Sequence, residues 1–473
     1  MSQVLFRYER VDPTTWAYLA SLLVIALYFK FSRLWSIRNL DLIGLILLAP
    51  PLLLVKYGSG EDASQESAQI IEHVGYIWLF VVSGLFMLRL LLDATMVRRP
   101  LLEPNLTVGG LTFLGVSLFL FLMANVIQGT PDRIDLSASE RAAHLRDLSV
   151  DKTETHSLST HGPGFPLLFL LPHISTQTLL GDNGSDETSI PNDSKSGAKQ
   201  QRTPDELADP SASSEAPAAT EEPHAIPFVH VVTAQVVAIL SQLSIVVGLV
   251  LIGLRHFDNV RTGVAAAVLY LLLPYTAMWT GSVTHSLPGA LIVWAILLYR
   301  QPFFAGAMLG LAFGTIYYPV FLLPLWLSFY WRRGLTRFLL GMAMTVALLV
   351  TALALTASDT MMFLTHVRQM FGIHFPVDVE LNGAWHFWDP VYRYPILAAF
   401  VGLSLSLTLW PAQKNLGTLI AYTGAMMLGT QFWHAHSGGL ALAWYLPLLL
   451  LTIFRPNLED RLASAVVKPG KAA

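Results

Sequence analysis

No cysteine occurs anywhere in the 473 residues. Disulfides, thiolate metal sites, iron–sulfur clusters and cysteine nucleophiles are therefore excluded. Charge is scarce as well. Only 13% of residues are Asp, Glu, Lys or Arg, while 53% are apolar. A soluble globular chain carries about 25% charged residues, and at this length would need roughly three domains. The mean hydropathy of +0.53 argues against that. The composition is that of an all-α, polytopic transmembrane helix bundle.

The net charge of −3 conceals an uneven distribution. Residues 128–226 hold 16 acidic and 7 basic side chains, a net of −9. The remainder holds 16 acidic and 22 basic, a net of +6. An acidic, water-facing insert thus interrupts a slightly basic membrane body. Neither part offers a basic patch with interleaved aromatics, so nucleic acid is not an expected partner. The lipid bilayer is.

A bilayer-spanning helix needs about 20 mostly apolar residues. Spans are expected near 14–30, 40–57, 76–92, 108–127, 228–254, 262–280, 287–300, 303–331, 336–357, 393–411, 416–432 and 439–454. The first is too long for a signal peptide and no small-residue cleavage site follows it. Lys30, Arg33, Arg38, Arg98, Arg99, Arg255, Arg261, Arg300, Arg332, Arg333, Arg337, Lys414 and Arg455 fall on one side if the spans alternate, which the positive-inside rule makes cytoplasmic. Arg300 and Arg332 conflict with this if 303–331 crosses once. Tyr317-Tyr318-Pro319 resolves the conflict, because proline disfavours helix at the residue before it. Two half-helices, 303–317 and 319–331, then form a hairpin, giving about 12–13 membrane segments. The alternative is one Pro-kinked span with the later topology inverted.

The outer face collects the loops 58–75, 128–226, 281–286, 358–392 and 433–438, and 13 of the 14 histidines. No histidine pair lies deep within two spans, which disfavours a haem-b electron carrier. Within the large loop, residues 163–180 are apolar but too short to span, as in an interfacial or re-entrant helix. Residues 182–224 are rich in Ser, Pro, Ala, Asp and Glu and are expected to be a disordered linker. The chain divides into N-terminal transmembrane helices (1–107), a central region (108–357) containing the 128–226 loop, and an outer loop with C-terminal helices (358–473).

Several groups could carry chemistry. Asp132 and Asp135 leave the outer end of span 108–127, where a carboxylate could serve as general base for a hydroxyl acceptor. Glu61 and Asp62 are a second such pair, more commonly loop-solvating. The loop 358–392 holds His366, Arg368, His374, Trp385, His386, Trp388 and, at its exit, Arg393. Arginine offers planar donors suited to phosphate. Tryptophan suits both sugar stacking and the membrane interface. Tyr317 and Tyr318 mark the hairpin tip, where irregular backbone is tolerated if it lines a cavity. His434 and His436 read as a wet interfacial turn, since a metal site would need further ligands. No metal-ligand set is assigned. Gly306, Gly310 and Gly314, spaced by four, predict close helix packing.

These features together resemble the GT-C superfamily of polytopic glycosyltransferases, which use polyprenyl-phosphate sugars. The likeness is carried by the early acidic residues of the outer loop, by His161-Gly162-Pro163-Gly164-Phe165-Pro166-Leu167-Leu168, and by the glycine-rich run 302–314 leading into Tyr317-Tyr318-Pro319 and Leu322-Leu323-Pro324-Leu325. It covers roughly residues 108–355. The chain departs from the pattern at Ile316, where Lys or Arg is common, and in the separation of Asp132 from Asp135. The resemblance implies transfer of a sugar from a polyprenyl-phosphate donor to an extracytoplasmic acceptor, in a bacterial inner membrane with the large loop outside. Asp132 and Asp135 would be catalytic; Arg368, His374, Trp385, His386, Trp388, Arg393, Tyr317 and Tyr318 would bind substrate. A divalent cation is left open as cofactor. A non-catalytic assembly or anchoring protein is the alternative, with a transporter third. Arg89 and Asp93, near an inner end, and the neutral Gln235 and Gln242 are the few polar groups inside the spans.

Overall fold

The computed structural model describes residues 11–59, 65–96, 103–147, 164–180, 227–357, 359–372, 381, 383–435, 438–458 and 461–463. Among them the chain is helical and contains no strand. The expected linker 182–224, together with Glu61, Asp62, His374 and His436, lies outside the described residues.

Helix α1 (Pro13–Tyr28) starts where Asp12 accepts from the Thr14 and Thr15 amides, at 2.9 and 3.1 Å, with proline at the first helical position. The expected span 40–57 is two helices, α2 (Ile37–Leu47) and α3 (Ala49–Gly58). Pro50 and Pro51 lack the amide that would continue the first ladder. Helix α4 (Gln65–Leu91) returns along α3, and α5 (Val108–Gln128) follows. Then come α6 (Arg133–Asp147) and α7 (Gly164–Leu180). The polar composition of 128–162 gave no reason to expect α6.

Helix α8 (Phe228–Arg255) is the longest. Helices α9 (Val260–Leu272) and α10 (Pro274–Met278) divide one expected span at Pro274. Next are α11 (Val283–Leu297), α12 (Pro302–Thr315), a 3-10 turn at Tyr318–Leu322, α13 (Leu323–Phe329) and α14 (Leu335–Thr356). The 358–392 loop contributes α15 (Thr360–Met370) and α16 (Ala384–Phe387). Helices α17 (Arg393–Ser406), α18 (Leu416–Thr430) and α19 (Leu446–Phe454) complete the bundle.

Among the described residues, five helical stretches are long and apolar enough to cross a membrane: 37–58, 67–95, 108–128, 228–255 and 335–355. Their outward faces are as apolar as their inward ones. Leu85, Phe113, Leu120 and Leu348 are more than 60% exposed. A helix that is hydrophobic all round belongs in a core or in lipid, and these expose one face, so lipid is the solvent that fits. Helices α9, α18 and α19 are almost wholly buried at the centre.

The hairpin expected at Pro319 is present. Tyr330, after α13, donates its hydroxyl to the Tyr299 carbonyl before α12 at 2.7 Å, so the chain has returned to the end it left. The α12 glycines act as predicted. A Cβ at Gly306 would collide with the Phe338 carbonyl and one at Gly310 would sit 3.1 Å from the Met342 carbonyl, both on α14. Gly341 of α14 meets the Phe303 backbone in the same way.

The two ends of the bundle differ. At one end Asp41, Arg89, Asp93 and Arg455 form a buried network from α2, α4 and the segment after α19. Arg89 binds Asp41 at 3.1 Å and Asp93 at 2.9 Å, and Arg455 binds the other Asp93 oxygen. Two positive and two negative charges cancel. The opposite end carries α6, α7, α15 and α16.

Candidate functional site

Helix α11 begins at this second end, and its first turn is capped from outside its own segment. Ser282 precedes it, but the Ser282 hydroxyl contacts Thr284 Oγ1 at 2.9 Å and caps nothing. Asp135 of α6 supplies the cap instead: its Oδ2 accepts from the Val283 amide at 3.0 Å. The Asp135 side chain is fully buried, and its Oδ1 has no hydrogen-bond partner. Burial raises this carboxyl well above the usual carboxylate range. The Val283 amide works against the rise, the nearby Asp132 charge adds to it, and the Thr284 amide pulls weakly the other way. Asp132 is exposed and starts α6, its carbonyl accepting from the Leu136 amide at 3.0 Å. One carboxylate of the predicted pair is thus solvated and the other enclosed.

A small cleft, with about 50 Å³ of space inside it, opens beside these two helix starts. Its walls include Thr130 and Pro131, which lead into α6, and Thr280 and Gly281, which lead into α11. Asn125 and Gln235 add amide groups. Gln235 also closes the end of α5, donating to the Ile127 and Gly129 carbonyls at 3.1 Å each.

The second group is aromatic. Tyr317 and Tyr318 lie with ring centroids 4.1 Å apart at the hairpin tip. Tyr318 packs against Trp433 at 5.2 Å, His434 at 4.9 Å and Trp444 at 5.4 Å. Arg393 donates to the Trp433 carbonyl from Nε and Nη2, at 3.3 and 3.2 Å, and its guanidinium sits 5.8 Å from the centre of the Trp385 ring. The indole nitrogens of Trp385 and Trp433 are buried and have no acceptor. Trp388 donates to His73 Nε2 of α4 at 3.1 Å, which ties α16 to the bundle. Gly372, at φ +64°, places its backbone against the Tyr317 ring, a conformation and an approach that a side chain would disfavour.

The two groups meet at one turn of helix. Trp444 Nε1 donates to the Thr284 carbonyl at 3.2 Å, next to the Val283 amide that Asp135 caps. Five predicted binding residues (Tyr317, Tyr318, Trp385, Trp388 and Arg393) therefore share a cluster connected to Asp135. Arg368 is exposed near the end of α15 and makes no contact with that cluster. His386 is exposed as well, with Phe387 as its ring neighbour. The expectation of a wet turn at 433–436 is corrected for its described part. His434 is 5% exposed and Trp433 likewise, because the hairpin tip and Trp444 close over them. Sequence reading did not include Trp433, Trp444 or Thr284 in the site. Nothing in the local pattern of an apolar helix end marks them.

A polar seam runs from the same face of α6. Ser139, one turn after Asp135 and equally buried, is 3.2 Å from His230 Nδ1 at the start of α8. The His230 ring stacks on His173 of α7 at 5.4 Å. Thr176 and Thr233 hydrogen-bond at 2.8 Å below them. On α15, burial lowers the pKa of His366, and the Arg141 charge of α6 lowers it further. Among the described residues no group of three or more His, Asp and Glu side chains could hold a metal ion.

No family model, curated protein or solved structure matches this chain.

Proposed function

We propose that the chain is an integral membrane glycosyltransferase of the GT-C type, moving a sugar from a polyprenyl-phosphate donor to a hydroxyl acceptor at the loop end of the bundle. The observation that carries this reading is the enclosed Asp135 carboxyl, held by one oxygen on the first turn of α11 and free on the other. A general base works best when its pKa lies near the operating pH, and burial moves Asp135 in that direction. Perturbed carboxyls with an unmet hydrogen-bonding atom mark functional sites. The proposed topology has thirteen segments with the loop end outside a bacterial inner membrane, and the arginine-rich opposite end supports that orientation under the positive-inside rule.

In this reaction the acceptor oxygen attacks the anomeric carbon. The bond from that carbon to the phosphate oxygen breaks, and polyprenyl phosphate leaves with the electron pair. The acceptor proton goes to Asp135 Oδ1. The acceptor approaches through the cleft between the starts of α6 and α11, and reaching Asp135 requires those two starts to separate. Arg393 compensates the phosphate charge, which is the main electrostatic task of the transition state. The indoles of Trp385 and Trp433 supply donors and apolar faces to the sugar.

The test uses full-length protein in vesicles with radiolabelled polyprenyl-phosphate mannose, glucose and arabinose. Asp135→Asn should lower transfer by about 10²- to 10⁴-fold, the usual worth of a general base. Asp132→Asn should lower it by less than about threefold, as expected of a solvated charge. Full transfer by Asp135→Asn would overturn the assignment. Absence of transfer from all three donors by the wild type would favour a non-catalytic anchoring role.

A further inference from the structure

Once Asp135 has taken a proton, that proton must leave a site closed to water. We infer that Ser139 and His230 form the route by which Asp135 exchanges its proton with the outer surface. This rests on Asp135 as the base, and it follows from the arrangement of the α6, α7 and α8 helices. Asp135 and Ser139 are four residues apart on α6 and both fully buried. Side chains at that spacing share a helix face, with Cβ atoms about 5–6 Å apart. The route requires a rotamer change of Ser139 or one water to close that gap. Ser139 already reaches His230 Nδ1, at 3.2 Å. His230 is half-buried in the first turn of α8, so its ring bridges the enclosed face of α6 and the surface. His173 stacks flat on it, with the two rings 3° from parallel, and fixes the ring plane.

The step balances without a co-reactant. Asp135 Oδ1 passes its proton to Ser139 Oγ while the Ser139 hydroxyl proton moves onto His230 Nδ1. His230 then releases its Nε2 proton to water. This needs the tautomer with a lone pair on Nδ1, in which the Ser139 hydroxyl is the donor. Among the described residues, the titratable groups placed against the seam include Asp132 beside Asp135 and His173 against His230. Arg141, two residues beyond Ser139, faces His366 of α15. Ser139 and His230 are positioning and relay groups; neither touches the sugar.

The experiment reads the proton itself. Infrared difference spectra of the full-length protein in vesicles, taken between acid and alkaline pH, contain a protonated carboxyl band that Asp135→Asn removes. On transfer to D2O this band shifts as the proton exchanges. Ser139→Ala and His230→Gln should each slow that shift by about 10²-fold, the lower end of the range for a lost proton-transfer partner. Ser139→Thr, which keeps the hydroxyl, should restore it, and added imidazole should speed exchange in His230→Ala. An unchanged exchange rate in both Ser139→Ala and His230→Gln would overturn the inference, leaving the seam a packing feature that lowers Tm alone. So would the absence of an Asp135 band at every pH between about 4 and 9. These readouts need no sugar donor. Slowed exchange alongside full transfer by Asp135→Asn would retain the route and reject the glycosyltransferase reading.

Discussion

Buried charge is present at both ends of the bundle and is handled in opposite ways. In the Asp41–Arg89–Asp93–Arg455 network every charge has an opposite partner, and Asp93 is engaged through both oxygens. At the loop end Asp135 has one amide on one oxygen and nothing on the other, Arg393 is bound by a carbonyl, and two indole nitrogens have no acceptor. A satisfied ionic network in a low-dielectric setting holds elements in place. Unmet buried polar groups cost about 1–3 kcal/mol each, and native proteins keep few of them. The first end reads as a clamp between the N-terminal helices and the segment after α19. Unmet polar atoms also occur at the first end, at His256 Nδ1 and Ser328 Oγ, so what sets the second end apart is an enclosed carboxyl with no hydrogen bond on one oxygen.

The largest effects are expected at the clamp. Asp93→Asn or Arg455→Met leaves a buried charge without its partner and should destabilise by about 3–5 kcal/mol. Thermal unfolding in detergent measures this. The double variant Asp93→Leu with Arg455→Met should recover most of the loss, because the charges are removed together. Any loss of sugar transfer in the single variants should track the loss of folded protein.

The loop end should show the reverse relation. Asp135→Asn, expected to remove most transfer, should raise Tm at neutral pH. The folded-state pKa of Asp135 is raised, so its contribution is intact below the unfolded value of about 3.9 and is lost as pH rises through the folded value. The gain in Tm should therefore vanish below about pH 4. A Tm gain that persisted in acid would mean burial of Asp135 is not its cause.

Smaller effects sharpen the picture. Arg393→Lys keeps the charge but loses the planar fork. It should raise KM for the proposed lipid-phosphate donor by about tenfold, the equivalent of one charge-assisted hydrogen bond, with little change in Tm. Trp388→Phe removes the bond to His73 and should cost about 1 kcal/mol, seen as faster amide exchange in α16. Asp132→Asn should be nearly silent in both stability and transfer.

Much of the fold was legible from period and composition. The apolar runs, the break at Pro319, and the Gly306-Gly310-Gly314 face follow from local rules of helix length, proline geometry and small-residue packing. The site was legible only by class. A carboxylate near an outer helix end, arginine and tryptophan in a long loop, and tyrosines at a break were all marked, and five of the eight binding candidates do cluster. Arg368 looked equivalent to Arg393 in sequence, yet one is solvated and the other is held by Trp433. Trp444 was passed over and His434 was read as part of a wet turn, because Tyr318, which packs against both, lies more than a hundred residues away in the chain.

Composition alone determined that this is a lipid-solvated helical protein, because 13% charged residues cannot coat a soluble surface of this size. The alternation of arginine-bearing turns determined which helix ends come together. Whether a given carboxylate is solvent-exposed or enclosed was decided only in three dimensions. Asp132 and Asp135 differ by three residues, less than one helical turn. Only the approach of α11, whose Val283 amide donates to Asp135, encloses that carboxyl so that burial raises its pKa, and leaves Asp132 in water.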